Sequence, residues 1–110
     1  MENDPQPALA EAITQLWIKH LPEIMERVGL LESAAESFAR GTLTFEQREA
    51  ANIAAHKLAG TLGMFNLTRG TVLARELEIM YSRETGPDPA FGERLNSISA
   101  ELHEIIQTRK

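Results

Sequence analysis

The chain contains no cysteine, which excludes disulfides and thiolate chemistry. No apolar run approaches the roughly 18–20 residues that a membrane helix needs. The start, Met1-Glu2-Asn3-Asp4-Pro5, lacks the basic and apolar segments of a secretory signal, so a cytoplasmic location is expected. Aromatic residues are scarce, with one Trp and one Tyr, and no Lys/Arg cluster occurs. The formal charge is −5, from 11 basic and 16 acidic residues. A nucleic-acid partner is therefore not expected. No glycine loop of the P-loop or dinucleotide type is present, so no ATP site is expected either. No stretch alternates apolar and polar residues between turn signals, which argues against strands.

What is present is helical periodicity. At 110 residues the sequence predicts a single domain over residues 1–110, with residues 1–6 as a loose lead-in. A first helix is expected over residues 7–19, with Leu9, Ile13, Leu16 and Trp17 as its apolar face. A second spans residues 22–40, on Ile24, Met25, Val28, Leu31, Ala35 and Phe38. Pro22 either starts that helix or kinks one continuous helix. Gly41 marks a stop. Thr44-Phe45-Glu46-Gln47 has the capping-box spacing, with Gln47 reaching back to Thr44, and opens a helix to about residue 65. Asn66 suits the left-handed residue that would end it. Thr68 caps a helix to about residue 83, with Val72, Leu73, Leu77 and Met80 inward, and Gly86 closes that region. Asp88-Pro89 opens the last helix, to about residue 108, on Phe91, Leu95, Ile98, Leu102, Ile105 and Ile106. The fold class is all-α: an antiparallel four-helix bundle with an additional N-terminal helix, expected to be monomeric.

The helix holding Ala55-His56-Lys57-Leu58-Ala59-Gly60-Thr61-Leu62-Gly63-Met64-Phe65 carries the chemistry. At 100° per residue, Gly60 and Gly63 flank His56 at about 40° and about 20°. Ala51, Ala54, Ala55, Leu58, Leu62 and Phe65 form the opposite, apolar side. Each glycine within a helix costs about 1 kcal/mol against alanine. Two beside one histidine point to a face kept bare for a partner. Neutral imidazole is a nucleophile near pH 7. Lys57 can steady negative charge beside it, and Ile53, Ala59 and Met64 border the face as a docking rim. Asn52, one turn before His56, is placed to hydrogen-bond the ring or a partner. Neither His20 nor His103 sits in a metal-ligand spacing, and Glu76 and Glu78 do not share a helix face, so no metal site is expected.

Residues 55–78 resemble the histidine-containing phosphotransfer (HPt) family. The pattern is Ala55-His56, Leu58, Gly60, Thr61 and Phe65, followed by the Leu77-Glu78 pair. The helical layout extends the resemblance over most of the chain. It implies a phosphoryl carrier without kinase activity of its own, in which His56 accepts a phosphoryl group from a receiver-domain aspartate and passes it to another. The implied partners are response-regulator receiver domains, including that of a hybrid histidine kinase. No cofactor of its own is implied, and Mg²⁺ is expected on the receiver. Two positions depart from the family: Ala59 stands where lysine is frequent, and Asn66 where glycine is. Ala59 keeps open the alternative of a non-phosphorylated interaction module of the same fold. A histidine kinase dimerisation region ranks below both, because Lys57 follows the histidine where an acidic residue is usual.

Overall fold

A computed structural model describes residues 6–83 and 87–109. Four α-helices follow in order: α1 Gln6–Ala39, α2 Phe45–Met64, α3 Thr68–Tyr81 and α4 Gly92–Thr108. A single 3-10 turn, Pro89–Phe91, precedes α4. Among the described residues there is no strand, and no helix is long and apolar enough to cross a membrane.

The open question at Pro22 resolves as one continuous helix. Pro22 lies inside α1, so the carbonyl of Ile18 receives no helical donor there. Both residues are exposed, and water can serve that carbonyl in place of an amide. The additional N-terminal helix is thus the leading part of α1. Its expected apolar face enters the core only at Trp17, which is 5% exposed. Leu9, Ile13 and Leu16 stay exposed, because the bundle's other helices reach no further along α1 than Trp17 and its T-shaped partner Phe65. Gly86 lies outside the described residues.

Both expected helix stops are built as Schellman turns. Gly41 has φ +72°; its N–H reaches Phe38 O, and the N–H of Thr42 reaches Ser37 O. Asn66 has φ +59°; its N–H reaches Gly63 O, and the N–H of Leu67 reaches Leu62 O. The capping box at Thr44 forms by half. Thr44 Oγ1 accepts from the Gln47 N–H at 3.0 Å, but the Gln47 amide donates to Ser37 Oγ at 2.9 Å. Gln47 therefore ties α2 to the end of α1. Thr68 is the first residue of α3 and provides no side-chain cap. Asp88 accepts from the Ala90 N–H, yet the turn it caps is the 3-10 turn, and the last helix proper begins at Gly92.

Contacts at both ends make every neighbouring pair antiparallel. Trp17 meets Phe65 while Ser37 meets Gln47, which sets α1 against α2. Arg48 meets Tyr81 while Ala59 meets Thr71, which sets α2 against α3. Bidentate pairs Arg69–Glu101 and Arg94–Glu76 join α3 to α4. Glu32 meets His103 across α4 and α1. The core repeats Trp17, Ile24, Val28, Leu31 and Ala35 on α1 at spacings of seven, four, three and four, the seam of near-parallel helix axes. The expected stripe of α2 is buried throughout, from Ala51 to Phe65. Two further inward assignments fail: Val72 is 51% exposed and Phe91 is 40% exposed.

Tyr81 is fully buried, and its hydroxyl has no hydrogen-bond partner among the described residues. Burial pushes its pKa up to about 12. An unpaired buried hydroxyl costs about 1–3 kcal/mol, so Tyr81→Phe is expected to raise stability by about 1 kcal/mol in a denaturant titration. Because the folded pKa lies above the unfolded value of about 10, the contribution of the neutral phenol is complete below pH 10. It is lost as pH rises toward 12. Absorbance titration of this single tyrosine should show the displaced midpoint.

Candidate functional site

His56 projects from the middle of α2 with 68% of its side chain exposed. Its Nδ1 lies 2.8 Å from Glu78 Oε2 on α3. An ionised carboxylate only accepts, so Nδ1 carries the proton. In the neutral ring this leaves the Nε2 lone pair free. Glu78 is itself fixed from below: Asn52 Nδ2 donates to the Glu78 carbonyl at 2.8 Å. Asn52 therefore anchors the turn of α3 that orients the ring, and does not bond the ring itself.

The remaining predicted residues divide. Ile53 and Met64 are 51% and 62% exposed, and Gly60 and Lys57 are exposed, so these surround the imidazole at the surface. A Cβ at Gly60 would meet nothing within 4 Å. That glycine is not required by packing and simply leaves the surface low. A Cβ at Gly63 would stand 3.4 Å from Thr71 Oγ1, so this glycine also admits α3. Ala59 does not belong to the rim. It is 1% exposed, and its carbonyl accepts from Thr71 Oγ1 at 3.1 Å, because its side of α2 faces α3.

Three features escape sequence reasoning. The first is Glu78 as the partner of the ring; the Leu77-Glu78 pair of the resemblance marked the residue but not this contact. The second is a shallow groove of about 380 Å³ between α1 and α2, lined by Glu23, Arg27, His56, Lys57, Gly60, Thr61 and Met64. The third is the outer face of α3, where Val72, Arg75 and Ile79 are exposed beside the histidine face. Both the groove and this face depend on how helices pair. Among the described residues, no three His, Cys, Asp or Glu side chains converge as metal ligands would.

The antiparallel bundle thus presents His56 to solvent, oriented by the Glu78 carboxylate. The sequence pattern of the Hpt domain family matches residues 7–108, and the chain belongs to that family. Its members are phosphocarrier modules of histidine phosphotransfer in phosphorelays, and they interact with receiver domains of response regulators. The chain is also 34% identical over 76 residues to Protein RcaC of Microchaete diplosiphon. That similarity covers 69% of this chain and spans 12% of the length of RcaC. No solved structure matches the chain.

Proposed function

We propose that His56 is the phosphoryl acceptor of a phosphorelay. It takes the group from an aspartyl phosphate on one receiver domain and yields it to the aspartate of another. The observation that carries this reading is the 2.8 Å contact from Nδ1 to Glu78, which leaves Nε2 as the outward nucleophile on a 68% exposed ring. In the forward step the Nε2 lone pair attacks phosphorus, the P–O bond to the aspartate breaks, and the carboxylate leaves with the electron pair. The ring acquires one positive charge, shared between its nitrogens, with Nδ1–H still donating to Glu78. Glu78 thus selects the tautomer beforehand and balances the ring charge afterwards. Mg²⁺ held by the receiver would supply neutralising charge to the phosphoryl oxygens. Lys57, on its flexible stem, offers further charge stabilisation.

Docking falls on the low surface around Gly60, with Ile53 and Met64 at its edge and Val72 and Ile79 extending it over α3. In this reading the exchange is cytoplasmic, the chain acts as a monomer, and the receiver of a hybrid histidine kinase is a donor.

Incubation with a phosphorylated receiver and Mg²⁺, followed by mass spectrometry, tests this reading. An acid-labile gain of one phosphoryl group on His56 is expected. Glu78→Gln should slow that gain by about tenfold to a hundredfold, because the ring loses its fixed tautomer and its counter-charge. An unchanged rate in Glu78→Gln would remove Glu78 from the mechanism.

A further inference from the structure

The frequent lysine of the family is missing at Ala59, and Ala59 is buried. A cation held nearby would stabilise the dianionic phosphoryl group. The groove beside His56 contains one, contributed by a different helix. Arg27 of α1 has only 18% of its side chain exposed. Its Nη2 lies 3.1 Å from Glu23 Oε1, and its Nη1 lies 3.5 Å from Thr61 Oγ1, at the outer limit of a hydrogen bond. The Thr61 hydroxyl proton is already spent on the Lys57 carbonyl at 3.0 Å. A guanidinium has five N–H donors. This one, largely buried, has a long contact to a hydroxyl and an ion pair to a half-exposed glutamate one turn away. Such an exposed-side pair is weak. Arg27 and His56 line the same groove, and the space above Gly60 within it is open.

Resting on the phosphoryl-acceptor reading of His56, we infer that Arg27 is the phosphoryl-binding cation of this protein, released from Glu23 to pair with the oxygens on Nε2. An arginine fork suits a dianionic phosphoryl group better than a flexible ammonium does, and α1 holds it in place before the group arrives. Glu23 is its competitor in the unloaded state.

The test uses phosphoramidate, a small donor that needs no receiver. The His56 Nε2 lone pair attacks its phosphorus, the P–N bond breaks, and ammonia leaves. The titration of the phosphoryl group is then followed by ³¹P NMR. In Arg27→Gln the midpoint is expected to rise by about half a pH unit to one pH unit, since a lost cation disfavours the dianion. Arg27→Lys should restore part of the shift. Glu23→Gln should move the midpoint the other way, because the arginine is freed, and most of that shift should vanish in an Arg27→Gln background; a merely structural role for Arg27 predicts the same shift in both backgrounds. Circular dichroism confirms that each variant is folded, and a folded Arg27→Gln that takes no label counts for the proposal. Labelled wild type and Arg27→Gln with equal midpoints overturn the role of Arg27 alone. Wild type that takes no label on His56 overturns the acceptor reading and this proposal with it.

Discussion

A His56→Gln chain is expected to fold like the wild type and to take no phosphoryl group at all. The ring is 68% exposed, and its one side-chain hydrogen bond among the described residues is to Glu78. Glutamine can keep a hydrogen bond to that carboxylate, so the stability change should stay within about 0.5–1 kcal/mol. The functional loss should be complete, because glutamine has no nucleophilic nitrogen. Lys57 carries the amine adjacent in sequence, and it sits about 100° around the helix. Thermal unfolding and intact-mass measurement on the same sample separate the two effects. A His56→Gln chain that still gains an acid-labile phosphoryl group would reassign the acceptor.

Substitutions at Gly60 should split stability from transfer. Nothing lies within 4 Å of a Cβ added there, so Gly60→Ala removes only the helix penalty of glycine. It should stabilise the chain by about 0.5–1 kcal/mol. Gly60→Phe should fold as well, yet its ring would stand above the surface that a receiver must approach. Displacing the reacting atoms by even about 1 Å can cost about a hundredfold, and that loss is expected in transfer from a receiver. Labelling by phosphoramidate, small enough to pass the ring, should change by no more than about twofold, since it needs no docking. A normal receiver rate in Gly60→Phe would move the docking surface elsewhere. Lower stability in Gly60→Ala would show that this glycine serves packing after all.

Much of this arrangement is legible in the chain because it is local. Gly41 and Asn66 announce left-handed backbone, and both close Schellman turns. The small-residue stripe of α2 sorts itself at 3.6 residues per turn into buried Ala55, Leu58 and Leu62 and exposed His56 and Gly60. Where the outcome depends on a neighbour, periodicity misleads. Leu9, Ile13 and Leu16 make a good apolar face, but α1 outruns its partners there. Ala59 lies only about 60° from His56 around the helix, yet α3 covers that side through the Thr71 contact. Val72 repeats with the core residues of α3 but points past them. The partners of His56 are tertiary by nature. Glu78 lies 22 residues away in sequence, and no local rule pairs it with the ring. Arg27 shares the groove only because α1 packs antiparallel against α2.

In the proposed relay, Nε2 of His56 receives a phosphoryl group from a receiver aspartate. The most direct measurement mixes the chain with a phosphorylated receiver and Mg²⁺, maps the modified residue by mass spectrometry, and identifies the phosphorylated nitrogen by ³¹P–¹H NMR. A single acid-labile phosphoryl group on His56, coupled to the ring protons through Nε2, is the predicted result. A group attached at Nδ1 would contradict the role of Glu78. No transfer from a broad panel of phosphorylated receivers, with binding retained, would contradict the carrier reading and leave a docking module that is not phosphorylated.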